Sequence, residues 1–319
     1  MCQKKSSVKR ISALILSVFL IFSFFGCNNN TLQETKNSVT FTDSLGRTVS
    51  VPKGTLNAAV LTGSFADVWL LSGGNVSATA KDAFDDFDLD LPDAVNLGKV
   101  KEPNLELLLS VKPSFVIASS NTSSNVDLLP ILESAGITVA YFEIATFSDY
   151  LSMLDLCTDI TGRKDLYEKN GLDIKDQIEK AKKDFENENL PEEEKSYLLL
   201  RASSGFVKAK GSDDYVLGGI LKDLGYINIA DSDETLLENL SIESIIKQNP
   251  HRIFIIQMGD DYEAARSNIE ALFTENPAWA SLSAVENGRI HFMEKRLFSL
   301  KPNARWGESY EILTSLLKK

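Results

Sequence analysis

Few side chains in this 319-residue sequence are arranged for reaction chemistry. It has two histidines, His251 and His291, and neither belongs to a His-rich or His-carboxylate pattern of the kind that binds zinc or manganese. The nucleophile-elbow, H-E-x-x-H, dinucleotide-binding and phosphate-loop motifs are all missing from the sequence. We therefore expect no catalytic residue, no metal-ligating residue and no cofactor.

Two further features have a chemical and a simpler structural interpretation. The aspartate-rich run at residues 82–90 lacks the glycine and the terminal glutamate of a calcium loop, which favours a solvated loop. Cys157 lies in an apolar helical pattern with no basic residue patterned around it, which favours a buried and unreactive thiol.

The first thirty residues have the pattern of an export signal. Basic residues at positions 4, 5, 9 and 10 precede an apolar run over 11–25, which is shorter than the ~20 residues of a membrane-spanning helix. The sequence FFGC at 24–27 resembles a bacterial lipobox, with phenylalanine in place of the usual leucine. This pattern predicts a lipoprotein signal peptide over 1–26, lipidation of Cys27 and a flexible tether over 27–38. An ordinary signal peptide with an incidental cysteine is the alternative.

The charge balance argues against several classes of partner. The formal net charge is −12, and removal of residues 1–26 would take away four positive charges, giving −16. Such an acidic surface excludes nucleic acid as an expected partner and argues against electrostatic binding to anionic lipid. After processing, Cys157 would be the one cysteine besides the lipidated Cys27, so we expect no internal disulfide.

From residue 39 onward, short apolar runs alternate with amphipathic helical patterns. This alternation is typical of parallel sheets covered by helices. The predicted strands are 58–61, 115–118, 138–142, 197–200, 253–256 and 289–293, after an opening hairpin of 39–41 with 48–51. The predicted helices include 65–71, 105–110, 125–134, 215–224, 242–247 and 262–273.

The sequence also contains a weak internal repeat. Residues 105–118, LELLLSVKPSFVIA, and residues 242–255, IESIIKQNPHRIFI, align at a constant offset of 137. Each copy has the pattern of a short helix with an acidic first turn, followed by a proline and an apolar strand. Chance similarity between common helix–strand units is the alternative. A register kept over fourteen residues favours two similarly built lobes.

A helical pattern separates the two copies of the repeat. Apolar residues recur at helical spacing over 147–162, where Ser148 is predicted to cap the start and Gly162 to end the helix. A second, highly charged helix is predicted at 174–187. The expected organisation is an N-terminal lobe over 39–146, a bridging helix over 147–162 and a C-terminal lobe over 163–319.

Five segments resemble the substrate-binding proteins of ABC importers for iron complexes, haem and cobalamin. They are VTFTDSLGRTVSVP, LGKVKEPNLELLLSVKPSFVIA, ILESAGITVAYF, LGGILKDLGYINIA and IESIIKQNPHRIFI. The resemblance covers nearly the whole chain after the signal. The resemblance implies an α/β fold of two Rossmann-like lobes with largely parallel sheets. One rigid bridging helix would join the lobes, with a ligand cleft between them.

The resemblance places the ligand among the loops at the carboxyl ends of the strands. Several of these loops are basic for so acidic a protein and are interleaved with aromatic residues, which suits an anionic metal chelate or a macrocycle with carboxylates. For a single lysine, a solvated surface position is the alternative, whereas Arg201 and Arg305 are the stronger candidates. The candidate ligand-binding residues are Phe65, Lys99, Asn121, Arg201, Lys208, Tyr215, Met258, Phe298, Lys301, Arg305 and Trp306.

The resemblance further implies a non-enzymatic, lipid-anchored receptor that delivers its ligand to an ABC transporter permease. One glutamate on each lobe of such proteins contacts the permease, and the matching positions are Glu106 and Glu243; a helix-dipole role is their alternative. A ferric siderophore is the first choice of ligand, haem the second and a corrinoid the third. Haem stays among the alternatives because Met258 and Tyr215 are residue types that bind haem iron. A surface lipoprotein enzyme or a structural lipoprotein is the alternative from another class.

Overall fold

A computed structural model describes residues 37–55, 57–259 and 261–318. The predicted signal peptide, Cys27 and the tether up to residue 36 lie outside the described residues. The strands are β1 Ser38–Thr42, β2 Thr48–Pro52, β3 Asn57–Val60, β4 Asn75–Thr79, β5 Val95–Asn96, β6 Gly98–Lys99, β7 Glu102–Pro103, β8 Phe115–Ser119, β9 Thr138–Phe142, β10 Ser196–Ala202, β11 Val207–Lys210, β12 Ile227–Asn228, β13 Arg252–Gln257 and β14 Ile290–Met293.

Helices alternate with these strands along most of the chain. They are α1 Gly63–Leu71, α2 Asp82–Asp85, α3 Leu105–Ser110, α4 Ser123–Val126, α5 Leu129–Ser134, α6 Phe147–Thr161, α7 Lys164–Tyr167, α8 Asp173–Glu186, α9 Val216–Asp223, α10 Glu234–Asn239, α11 Ile242–Gln248, α12 Tyr262–Glu275, α13 Pro277–Ala280, α14 Ser283–Glu286, α15 Lys295–Phe298 and α16 Trp306–Leu317. Across the described residues, none of the helices is both long and apolar enough to cross a bilayer.

The N-terminal lobe contains a parallel sheet with the strand order β5-β4-β3-β8-β9. Strand β8 reads FVIAS and is buried along its whole length, as expected for a strand with both faces covered by other elements. The β1–β2 hairpin is attached to this sheet through Asp43, whose carboxylate accepts bonds from the Arg47 guanidinium at 2.6 Å and the Tyr141 amide at 3.3 Å.

The C-terminal lobe contains a second sheet with the order β11-β10-β13-β14, and β12 pairs with the start of β10. Strands β10, β13 and β14 are parallel, whereas β11 runs antiparallel to β10 at the edge. The two lobes and their largely parallel sheets confirm the α/β fold class predicted from the sequence.

The internal repeat corresponds to the same local structure in both lobes. Helix α3 begins after Asn104 and α11 after Ser241, and each of these side chains accepts a bond from a backbone N–H of its helix's first turn. One residue of each helix, Leu108 and Ile245, is fully buried at matching positions. Beyond the helices, β8 and β13 lie inside their respective sheets. The helix–strand unit predicted from the repeat is therefore present once in each lobe, as α3–β8 and as α11–β13.

Helix α6 packs against both lobes. Its buried side chains, including Met153 and Cys157, belong to a core that also contains Phe115 of β8 and Phe254 of β13. The prediction that Ser148 caps this helix is wrong. Thr146 is the N-cap, because its hydroxyl accepts from the Asp149 amide at 3.2 Å while the Asp149 carboxylate accepts from the Thr146 amide at 2.8 Å.

Two other local predictions differ from the structure. The single helix expected at 125–134 is divided into α4 and α5, because Pro130 lacks the N–H of a helix interior and stands in the first turn of α5 instead. Strand β11, with the sequence VKAK, was not predicted. Its lysines make it polar, and this is typical of an edge strand that faces water.

Candidate functional site

The carboxyl ends of the parallel strands carry several of the candidate residues. Asn121 follows β8 and Glu143 follows β9 in the N-terminal sheet. Arg201 is the penultimate residue of β10, and Met258 follows β13 in the C-terminal sheet. Because strands that run parallel end at the same edge of a sheet, each sheet presents its candidates along one edge.

Arg201 and Lys208 form a pair of cations at the edge of the C-terminal lobe. They stand opposite each other in the β10–β11 register, and both lie against the ring of Phe206. The Arg201 guanidinium carbon is 5.3 Å from the ring centroid and the Lys208 ammonium nitrogen 5.7 Å. Phe206 is 40% exposed. Among the described residues neither cation has an ion-pair partner, and the Arg201 Nε is buried without an acceptor. We call Arg201, Phe206 and Lys208 the cation–ring group.

Tyr215 and Met258 lie close to this group. Burial raises the pKa of the Tyr215 hydroxyl, and the charge of Arg201 acts in the opposite direction, as expected for neighbouring side chains. The Met258 amide donates to the Ala202 carbonyl at 2.8 Å, next to Arg201 in the chain, and its sulfur accepts from the Ser299 hydroxyl at 3.5 Å. The structure thus brings Arg201, Lys208, Tyr215 and Met258 to one region.

Asn121 and Lys301 are both related to Glu143, which follows β9. The Asn121 amide donates to the Glu143 carboxylate at 2.9 Å. Lys301, from the segment after β14, is largely buried, and this burial lowers the pKa of its ammonium group. The carboxylates of Asp149 and Glu143 partly oppose that shift. Lys301 is therefore a largely buried cation with two carboxylates in its neighbourhood.

Residues 294–305, which we call the strap, follow β14 and include α15. Their side chains contact the N-terminal lobe. Arg296 forms an ion pair with Asp67 of α1 at 2.9 Å, and the two side chains are only 15% and 16% exposed. Asn303 adopts a positive φ of 54° and donates to both the Ser64 carbonyl and the Asp67 carboxylate. Lys295 pairs with Asp86 at 2.5 Å. These contacts hold the strap against α1 and α2.

Pairing in the strap changes which cations a ligand can use. Burial raises the pKa of Asp67, and the hydrogen bond from Asn303 and the charge of Arg296 act against this shift. Arg305 is exposed and pairs with Glu308 at 2.6 Å. Every arginine and lysine of the strap thus has a carboxylate nearby, in contrast to the cation–ring group.

The remaining candidate residues lie elsewhere. Phe65, Phe298 and Trp306 are 4%, 1% and 3% exposed, so the structure places them in the apolar core and not on a ligand-facing wall. Phe65 packs on Phe142, and Trp306 packs on Phe147, both edge to face. Lys99 is exposed in the short β6–β7 ladder. Trp69 and Trp279 are buried in the core.

A cavity of about 550 Å³ lies beside α6, away from the cation–ring group. Its apolar lining includes Phe147, Leu151, Ile178, Ile220 and Trp306. Its charged rim is already neutralised by the Lys182–Asp223 and Lys175–Glu179 pairs. Trp306 is the single candidate residue in its lining, so the cavity does not coincide with the predicted ligand contacts.

Three residues of these groups, Phe206, Glu143 and Arg296, were not among the candidate ligand-binding residues. Phe206 follows a Ser-Ser-Gly turn and stands two residues before Lys208, a spacing that puts both on one face of a strand. An aromatic residue directly after a polar turn was the feature of the sequence that could have indicated an exposed ring at Phe206. Nothing in the sequence relates Arg296 to Asp67, which is 229 residues away.

The two proposed docking glutamates occupy equivalent and exposed positions. Glu106 lies in the first turn of α3 and Glu243 in the first turn of α11, one in each lobe. Within the described residues no cluster of His, Cys, Asp and Glu is arranged to hold a metal ion.

The geometry agrees with a comparison to known protein families. The sequence profile of the periplasmic binding protein family matches residues 59–297, which include most of both sheets and all of α6. The chain belongs to this family. The match confirms the resemblance seen in the sequence motifs.

Relatives and solved structures of the family align over most of the chain. The Iron-uptake system-binding protein of Bacillus subtilis is 25% identical over 316 residues, 95% of each chain. The Fe(3+)-citrate-binding protein YfmC of the same organism is 27% identical over 303 residues, 88% of this chain and 87% of YfmC. The crystal structure of Staphylococcus aureus SirA complexed with staphyloferrin B superposes with a TM-score of 0.66 at 19% identity, covering 87% of this chain and 96% of SirA.

Proposed function

We propose that this periplasmic binding protein is an extracytoplasmic lipoprotein that captures an anionic metal chelate, with a ferric siderophore as first choice, and delivers it to an ABC importer permease. The observation that carries this proposal is the cation–ring group. Arg201 and Lys208 lack carboxylate partners in the described chain, and both lie at the strand edge where ligands of open α/β folds bind. An anionic ligand would supply the missing charge.

The chemistry of the group fits a chelate with peripheral oxygen atoms. Arginine and lysine form their strongest hydrogen bonds with ionised oxygen acceptors such as carboxylates. A partly exposed ring provides apolar contact for the remainder of the ligand. The names of the two Bacillus subtilis relatives, which refer to iron uptake and to Fe(3+)-citrate, support a ligand of this class.

Capture and release require no bond-making residue. The cation–ring group holds two cations and an apolar ring, without an acid–base pair or a nucleophile. Cys157, a conceivable nucleophile, is fully buried, and this burial raises the pKa of its thiol. A binding role is favoured over an enzymatic role on these grounds.

Titrations monitored by intrinsic fluorescence test the ligand class. Ferric citrate and a ferric tricatecholate should bind, and the double change Arg201→Gln with Lys208→Gln should weaken their binding about 10- to 100-fold, the loss expected for one or two charge-assisted bonds. Arg305→Gln is the matched control and should stay within about twofold, because Glu308 already pairs with Arg305. Unchanged binding by the double variant would refute the site.

Haem and a corrinoid remain the alternatives, in a binding protein of the same importer type. Tyr215 and Met258 lie near the cation–ring group and are residue types that ligate haem iron. Tighter binding of haem or cobalamin than of either ferric chelate in the same titrations would select these alternatives.

We propose further that Cys27 carries the lipid anchor and that residues 27–38 form the tether between the membrane and the N-terminal lobe. The FFGC sequence and the polar residues after it support this arrangement. Cys27→Ser should release the protein from membranes in cell fractionation, whereas firm retention of this variant would contradict the anchor.

A further inference from the structure

The exposed ring of Phe206 is unusual in its surroundings. Arg201 and Lys208 carry like charges and stand directly opposite each other on neighbouring strands, an arrangement that is normally destabilising. Elsewhere in the C-terminal lobe, cations such as Lys182 and Lys222 lie beside carboxylates. At this position the ring takes the place of a carboxylate, because the negative face of an aromatic ring attracts cations.

The turn that presents Phe206 is held in place by polar contacts. The Ser203 amide donates to the Phe206 carbonyl at 2.9 Å, and the Phe206 amide donates to the Ser203 hydroxyl at 3.3 Å. The side chain of Asn268, from α12, donates to the carbonyls of Ser203 and Ser204 at 3.0 and 2.9 Å. The ring is thus mounted on an anchored hairpin turn, although 40% of its surface faces solvent.

A carboxylate in the place of Phe206 would compete with an anionic ligand. A ring attracts the same two cations but leaves their N–H donors available, since it accepts no strong hydrogen bond. Among the described residues, neither the Arg201 nor the Lys208 side chain donates a hydrogen bond to an acceptor, and the buried Nε of Arg201 has no partner. A site of this type keeps two cations close together while their donors stay unoccupied.

We propose that Phe206 is a positioning residue that holds Arg201 and Lys208 side by side as one two-point receptor for an anionic group of the ligand. This inference rests on the proposed function and deepens it. It assigns to the ligand an anionic group with two acceptor oxygens, such as a carboxylate or a catecholate, that faces the C-terminal lobe. Phe206 acts through the two cations.

The test compares four full-length variants with the wild-type protein in titrations with ferric citrate and with a ferric tricatecholate. Phe206→Leu retains apolar bulk and removes the ring. For whichever of the two chelates the wild-type protein binds more tightly, this variant should bind about five- to tenfold more weakly. Phe206→Tyr restores a ring and should bind within about twofold of wild type. Phe292→Leu removes a ring that lies 4.8 Å from Arg266, away from the cation–ring group, and is the matched control.

The fourth variant, Arg201→Gln with Lys208→Gln, separates this inference from the proposed function. Loss of binding in that variant together with wild-type binding by Phe206→Leu would overturn the role of Phe206 and leave the site intact. Failure of Phe206→Tyr to restore binding would also overturn that role. Wild-type affinity in the double variant, or no binding of either chelate by the wild-type protein, would overturn the site and the inference together.

Discussion

At the scale of single residues, the two histidines illustrate how burial sets protonation. The His291 ring lies against Phe254, with ring centroids 5.3 Å apart, in the middle of β14. Burial, together with a smaller contribution from the nearby charge of Arg252, lowers the pKa of His291 to about 4. His251 precedes β13, and burial also lowers its pKa. His251 lies just before the amino-terminal end of β13 and His291 within β14, so neither lies at the carboxyl edge that carries the candidate site.

The depressed pKa of His291 makes the stability of the fold depend on pH. The unfolded chain binds a proton near pH 6.5, the folded chain only near pH 4, so the unfolded state holds more protons between these values. Stability should therefore be complete above pH 6.5 and fall by about 1–2 kcal/mol as the pH decreases to 4. Urea denaturation at several pH values checks this. His291→Gln should flatten the profile over this interval, and an equally steep profile in the variant would contradict the assignment.

Burial of the aromatic residues in or near the strand-end loops could not be predicted from the sequence. Phe65, Phe298 and Trp306 were assigned to the ligand because they lie in or near strand-end loops, but their rings fill the core. Phe206 is likewise an aromatic residue close to the end of a strand, but its ring is exposed. What separates them is the packing of helices from distant parts of the chain onto each sheet, which a local pattern does not contain. Trp69, inside an apolar helical pattern, was predictable for that reason.

At the scale of elements, α9 depends on a close backbone contact at one of its two adjacent glycines. A Cβ atom at Gly218 would lie 2.2 Å from the Ser212 carbonyl oxygen, whereas a Cβ at Gly219 would meet nothing within 4 Å. Gly218 therefore allows α9 to pack on the turn Ser212–Asp214, and Gly219 only lowers helix propensity.

The two glycines give a matched pair of substitutions. Gly218→Ala should destabilise the protein by about 3 kcal/mol or more, since the contacting atom belongs to the backbone and has little freedom to move. Gly219→Ala should stabilise it by about 0.5–1 kcal/mol through improved helix propensity. Thermal and urea unfolding measure both values. Equal effects of the two substitutions would show that the close contact does not constrain α9.

Elements with strong local signals were predictable, and elements that depend on distant partners were not. The helix–strand repeat has caps, prolines and apolar strands in one register, so α3, β8, α11 and β13 followed from the sequence. Strand β11 exists because β10 offers it an edge, and its own lysine-rich sequence gave no apolar signal.

At the scale of the whole molecule, each lobe carries an exposed glutamate in the first turn of its repeat helix, and we propose that both glutamates contact the permease. We predict that the double change Glu106→Arg with Glu243→Arg blocks uptake of the chelate by cells, because it replaces attraction by repulsion at both contacts with permease arginines. Ligand affinity should remain unchanged, since neither residue belongs to the cation–ring group. Either single substitution should reduce uptake only slightly, because exposed ion pairs contribute only ~0–1 kcal/mol each.

Uptake assays in cells and titrations of the purified protein distinguish the outcomes. Normal uptake by the double variant would contradict a docking role for both glutamates. Parallel loss of uptake and of ligand binding would instead assign them to the ligand site or to the stability of the fold.

The internal pairing of the strap has a consequence for the kinetics of capture. Because the strap cations are paired with neighbouring carboxylates, they add little positive charge to the surface. The ligand therefore approaches a protein of strongly negative net charge whose cation–ring group is a small positively charged site. An anionic chelate is then repelled at long range and attracted only at contact. Added salt should accelerate association by screening the repulsion, and it should also accelerate dissociation by weakening the bonds to Arg201 and Lys208. Stopped-flow mixing at increasing ionic strength would resolve the two rates, and an association rate that falls with salt would contradict this balance.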